Sequence, residues 1–132
     1  MRIILLLLCL IWAEEPVPEL VPELAVKELN EKSFKVATRS GITIVEYWAS
    51  WNMVNKVAML DSIEVVDAKI YRVNIDTNPK VTAKQKIIVV PTIIIYDDGI
   101  EYKRLQADLT FKLVVKKKDL QIVVDEILMS KF

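Results

Sequence analysis

From Ile42 to Trp48 the chain reads Ile-Thr-Ile-Val-Glu-Tyr-Trp, a run of β-branched and aromatic residues. Such a run predicts a buried strand. The period then changes. Met53, Val57, Leu60 and Ile63 recur at intervals of three and four, which predicts a helix beginning at Asn52 with these residues on one face. Lys69 to Ile75 returns to a strand pattern, and Asn78-Pro79 opens a short helix ending near Lys86, since proline is tolerated in a first turn. Pro91 to Tyr96 is again strongly β-branched. Asp97-Asp98-Gly99 follows it as a hairpin turn, with Ile100 to Leu105 as the return strand. A last helix is expected from about Lys118 to Met129, with Leu120, Val123, Val124, Ile127 and Leu128 along one stripe. Upstream, Ala25 to Leu29 predicts a short strand. Asn30 to Arg39 predicts a short helix, with Phe34 and Ala37 or Thr38 inward, ended by Ser40-Gly41. Leu109 to Val115 fits either a second strand or an extension of the hairpin. The order βαβαβαββα, parallel in its first half and antiparallel at its end, defines an α/β sandwich with a mixed sheet.

The first residues follow another pattern. Arg2 precedes an unbroken apolar run from Ile3 to Trp12, then Ala13 and the acidic pair Glu14-Glu15. A basic start, a short apolar run and a small residue before a polar stretch predict a secretory signal over residues 1–13. The run falls well short of the roughly 20 residues that span a bilayer. Cys9, the single cysteine, lies within it. It reads as one more apolar residue of the signal or as a lipid-modified cysteine, and the bulk of Leu8 favours the first. Residues 14–24 carry three prolines and the repeated Val-Pro-Glu-Leu of 17–20 and 21–24. They read as a stiff linker or as a short docking segment. Residues 25–132 remain for one folded domain.

Composition narrows the function. The chain has 132 residues, 53% of them hydrophobic, with eighteen basic residues balancing eighteen acidic ones. That size suits one domain with a real core, and the balance offers no electrostatic basis for binding nucleic acid. Histidine is absent, no cluster has metal-ligand spacing and no glycine-rich phosphate loop occurs, so no metal or cofactor is expected. Lys112, Lys116, Lys117 and Lys118 read as a solvated face.

Three segments carry a resemblance. Val45-Glu46-Tyr47-Trp48-Ala49-Ser50-Trp51-Asn52-Met53-Val54-Asn55-Lys56 is similar to the strand–turn–helix of thioredoxins, in which Trp-Ala-x-Trp precedes Cys-x-x-Cys-Lys. Val73-Asn74-Ile75-Asp76-Thr77-Asn78-Pro79 resembles that family's central strand and following turn. Val90-Pro91-Thr92 resembles its cis-proline loop. In this order and spacing the three mark a resemblance from about residue 25 to the end. It implies a thioredoxin-like fold: a central mixed β-sheet flanked by helices, with an antiparallel C-terminal hairpin and final helix. The departures are equally plain. Asn52 and Asn55 stand at both cysteine positions, the helix after them is short, and the stretch after Gly99 is long and lacks a glycine near its end.

Thiol–disulfide exchange needs a thiolate and a second thiol to resolve the mixed disulfide. An asparagine amide supplies neither, so the expectation is a redox-inactive member with no catalytic residues. Asn52 is expected as a helix N-cap, or with Asn55 as a reader of peptide backbone. The resemblance places Glu46 at the family's buried acid and Arg72 where a lysine is usual, so the two are expected to pair or to be solvated. Trp48 is expected in or near the core. Trp51, Met53, Val54, Val89, Val90 and Pro91 are expected to form an apolar protein-binding patch, because relatives pair an extended substrate segment with the backbone before a cis proline. The expected role is that of a non-catalytic, periplasmic or otherwise extracytoplasmic protein. It would act on envelope proteins as an interaction or structural subunit or as a redox-independent chaperone. It would meet the membrane only through its N-terminal segment, if that is uncleaved or lipidated. The alternative is an oxidoreductase, or an accessory factor, using Cys9 or a partner's cysteines.

Overall fold

The computed structural model describes residues 26–132, so the expected signal, the Pro-rich segment, Cys9 and Ala25 lie outside the described residues. Its strands are β1 (Lys27–Leu29), β2 (Ile42–Trp48), β3 (Ala68–Asn74), β4 (Thr92–Asp97) and β5 (Ile100–Gln106). Its helices are α1 (Ser33–Thr38), α2 (Pro79–Lys84) and α3 (Lys117–Met129). The sheet order is β1-β3-β2-β4-β5. β3 runs parallel to β1 and β2, whereas β4 is antiparallel to β2 and β5. This is the thioredoxin fold, a mixed five-stranded sheet between helices.

β2 is central and buried on both faces, which is why its sequence is a continuous rather than alternating apolar run. Ile42 and Ile44 face one core with Leu60, Ile93, Leu120 and Ile127. Val45 and Tyr47 face the other with Phe34, Val73, Val81 and Tyr96. α3 closes the first core with the stripe that its period predicts: Leu120, Val123, Val124 and Ile127 are buried. The Asp119 carboxylate accepts the Lys116 amide at 2.8 Å at its start. The hairpin turn has Asp98 and Gly99 at φ +50° and +84°, the left-handed pair that a two-residue turn between twisted strands requires.

Three segments differ from expectation. α1 begins at Ser33, not Asn30, because the Asn30 side chain first accepts the amides of Lys32 and Ser33, both at 2.9 Å. No α-helix follows β2. Residues Ser50–Asn55 and Ala58–Ser62 form two 3-10 turns, and Lys56 (ψ 139°) breaks the chain between them. Spacings of three suit a 3-10 turn as well as an α-helix, so the apolar period alone does not separate the two. Leu109 to Val115 forms neither a strand nor a hairpin extension. It is a looped segment tied by Asp108, whose carboxylate accepts the Thr110 amide at 2.7 Å and the Lys112 amide at 3.2 Å.

Candidate functional site

β2 delivers its C-terminal end to one rim of the sheet, where the first 3-10 turn, the segment before β4 and the 107–113 loop meet. Val90-Pro91 is a cis peptide bond, as the sequence leads one to expect. Asn52 lies between these segments and is only 7% exposed. Its Nδ2 donates to the Val90 carbonyl at 3.3 Å and to the Phe111 carbonyl at 3.1 Å, and its Oδ1 accepts Asn55 Nδ2 at 2.7 Å. Both amide hydrogens are thereby used.

This corrects the capping expectation. Ala49, not Asn52, stands at the start of the turn, and the Asn52 backbone (φ −123°, ψ 28°) is itself non-helical. The side chain has no first turn to cap and bridges two distant loop segments instead. The two asparagines do come together, but on each other and on the fold.

The expected apolar patch divides. Trp51 is 61% exposed, and Met53 and Val54 are exposed as well. Val89 is half-buried, while Val90 and Pro91 are buried beneath the rim and present no side chain to a partner. Phe111 stands against Trp51. Its ring meets that of Trp51 edge-on at 5.4 Å and 90°, and Ala107 donates to the Pro91 carbonyl at 3.0 Å. Phe111 holds φ +61°, a conformation that costs a non-glycine residue about 1 kcal/mol or more. Nothing local in the sequence marks Phe111, because its ring and its carbonyl meet residues some 60 positions earlier. A hollow of about 110 Å³ opens beside it, lined by Trp51, Ile75, Ile87, Ile88 and Val89. Trp48, expected in or near the core, is half-buried at its margin. Its Nε1 donates to the Glu28 carboxylate at 3.1 Å, and Lys56 Nζ sits 4.2 Å from the ring centre.

Beneath the rim Glu46 and Arg72 pair, with Arg72 Nε 2.8 Å from Glu46 Oε1. The resemblance leads one to look for that pair but not for its extension. Arg72 also donates to Asp61 at 2.5 Å and to the Val57 carbonyl at 2.6 Å, while Glu46 Oε2 accepts the Val57 amide at 2.7 Å. Both backbone groups of Val57 are thus clamped between the two 3-10 turns, replacing bonds that a continuous helix would supply. Burial pushes the Glu46 carboxyl above the ordinary carboxylate value, against the pull of the Val57 amide and Arg72. At Asp61 burial works in the same direction, but the Arg72 bond prevails and holds its carboxyl low. Among the described residues no group of three or more His, Cys, Asp or Glu is placed to hold a metal ion, and no helix is long and apolar enough to cross a membrane.

The mixed sheet, the cis proline and the rim between them define a thioredoxin-fold protein. The thioredoxin family model matches residues 25–119, and the chain belongs to the thioredoxin family. It is 27% identical over 81 residues to thioredoxin of Staphylococcus aureus, an alignment covering 58% of this chain and 78% of that protein. Among solved structures, a mutant thioredoxin from Halobacterium salinarum superposes with a TM-score of 0.59 at 12% identity, covering 78% of this chain and 90% of that one. Thioredoxin of Malassezia sympodialis gives 0.58 at 18% identity, covering 81% and 94%.

Proposed function

We propose that this chain is a thioredoxin-family protein that binds other proteins and carries out no thiol–disulfide exchange. One observation carries the reading. At the two positions where the family resemblance places cysteines, Asn52 and Asn55 are hydrogen-bonded to each other and to backbone carbonyls of the fold. An amide has no electron pair comparable to a thiolate's and no second sulfur with which to resolve a mixed disulfide. The single cysteine, Cys9, belongs to the N-terminal apolar run of the sequence.

What is left at the rim is a surface suited to contact. Trp51, Met53, Val54 and Ile88 are all more than half exposed, and large aromatic and flexible apolar groups of this kind dominate protein recognition. The pattern of residues 1–13 supports action outside the cytoplasm, as a subunit of an envelope assembly or a redox-independent chaperone. Contact with the membrane would then come only through the N-terminal segment.

Two measurements test this. In an insulin-reduction assay with dithiothreitol, the protein lacking residues 1–13 should give the buffer rate, and turnover above it would overturn the reading. In affinity capture from envelope extracts, Trp51→Ala or deletion of residues 14–24 should lose proteins that the unaltered chain retains. Identical captures for all three would remove the proposed binding surfaces.

A further inference from the structure

β5 closes one side of the sheet and, among the described residues, pairs with β4 alone. Its outer side carries large groups that no neighbour covers: Ile100 is 73% exposed and Tyr102 46%. A strand left open in this way is a template for another. What sets this one apart is its order of residues. Ile100-Glu101-Tyr102-Lys103-Arg104-Leu105 lies against its own reversal with isoleucine opposite leucine, glutamate opposite arginine and tyrosine opposite lysine, each pair formed twice. All three are favourable cross-strand pairs.

A regular strand could not use that register. Its side chains alternate between faces, so positions an odd number apart, such as 101 and 104, point to opposite sides and cannot meet across a twofold axis. β5 is not regular. Its pairing with β4 shifts between Ile95 and Tyr96, which oppose Lys103 and Glu101, so Tyr102 is the extra residue of a bulge. The bulge brings 101 and 104 to one face, and 100 and 105 to the other. Glu101 and Arg104 accordingly pair at 2.8 Å within the chain, and Arg104 also donates to the Gln85 and Lys86 carbonyls at 2.7 and 2.9 Å. On the other face Leu105 packs against the core that α3 closes. Ile100 opposes Asp97, whose carboxylate meets Lys131 just past α3.

Neighbouring registers fail. Centred on Lys103, that lysine would meet its own copy and Glu101 would meet leucine. Centred on Tyr102, Glu101 would oppose Lys103, which the bulge has set on the other face. A lysine and a bulge commonly guard an open strand against pairing, and here they exclude the wrong registers and leave one.

We propose that β5 pairs antiparallel with β5 of a second copy, Glu101 opposite Arg104 and Ile100 opposite Leu105, about a twofold axis at the bulge. Six residues on each side make a small contact, so the dimer is weak and reversible. Gln106 opposes Thr92 at the rim end of the sheet, and the paired strands run in opposite directions. The two Trp51 faces therefore point from opposite ends of one continuous sheet.

The chain lacking residues 1–13 serves for the test, since both cores lie within residues 26–132 and Cys9 leaves with that segment. Sedimentation velocity from about 5 to 500 μM should show a monomer–dimer equilibrium at neutral pH. Glu101→Arg sets like charges opposite each other at two symmetry-related places and should weaken the dimer on the order of tenfold or more. Combining it with Arg104→Glu should recover most of the loss. Ile100→Cys mixed with Leu105→Cys should give a disulfide-linked dimer under diamide that neither gives alone, because these positions meet only each other in this register. Trp51→Ala should leave the equilibrium unchanged. Thermal unfolding checks that each variant folds, and if the charge-swapped double variant does not, Glu101→Arg and the cysteine mixture decide. A monomer throughout the range, a dimer that Glu101→Arg leaves intact or Trp51→Ala abolishes, or either cysteine variant linking alone as fast as the mixture overturns the proposal.

Discussion

Arg72 shows how much one side chain can organise. It neutralises Glu46, reaches Asp61 and holds the Val57 carbonyl, so removing it strands a carboxylate with no exposure to water. Arg72→Met should cost about 3–5 kcal/mol in urea unfolding, whereas Glu46→Leu combined with Arg72→Met should cost clearly less, because no charge is left unpaired. The two acids also predict opposite pH limbs. The raised Glu46 means that the folded state holds its proton more readily than the unfolded chain. Its contribution is therefore full below the ordinary value of 4.5 and is lost as pH rises through the folded value. The lowered Asp61 contributes fully above its ordinary 3.8 and loses that contribution as pH falls. Urea midpoints between about pH 2 and 8 should show Glu46→Gln flattening the upper limb and Asp61→Asn the lower one.

Among elements, those written in continuous local patterns were legible. β2 runs from Ile42 to Trp48 as its β-branched sequence predicts, and α3 buries the expected stripe because nothing competes with its period. The Asp98-Gly99 turn declares itself, since few other residues tolerate two positive φ angles in succession. Gly99→Ala should therefore lower stability by about 1–2 kcal/mol in thermal unfolding, even though its added methyl meets nothing closer than 3.5 Å. Asp119→Ala should cost α3 about 1 kcal/mol through the lost Lys116 bond, measured in the same way. The segment after β2 was not legible as built. Its spacing of apolar residues is indifferent to whether one α-helix or two 3-10 turns carry them, and the clamp on Val57 that decides the matter comes from Glu46 on β2 and Arg72 on β3. Asn52 misled for a related reason. Capping preference describes what asparagine does when a helix follows, and here its amide found carbonyls far along the chain. Phe111 gave no signal at all, because a loop residue that folds back across some sixty positions leaves no local period to read.

At the scale of the molecule, the thioredoxin sheet, the cis Val90-Pro91 peptide and the buried Glu46–Arg72 pair stand beneath a rim that Asn52 and Asn55 occupy. The sheet is stabilised by two apolar cores, and neither includes Trp51, so a change at that side chain need not disturb the fold. That separation lets Trp51→Ala serve as a probe of binding and not of folding, and thermal unfolding midpoints should distinguish it clearly from Arg72→Met.

The irregular backbone at Asn52 has a consequence for any attempt to place cysteines there. A reactive sulfur in this family would draw its acidity from successive amides stacked along one helix axis. Two broken turns separated at Lys56 offer no such stack. Asn52→Cys combined with Asn55→Cys should thus install sulfur without installing a reagent: iodoacetamide alkylation should report a thiol near the ordinary value of about 8.5. Such a protein would hold two thiols on a backbone that does little to acidify them, because a reactive sulfur depends as much on the course of the chain as on the atoms hung from it.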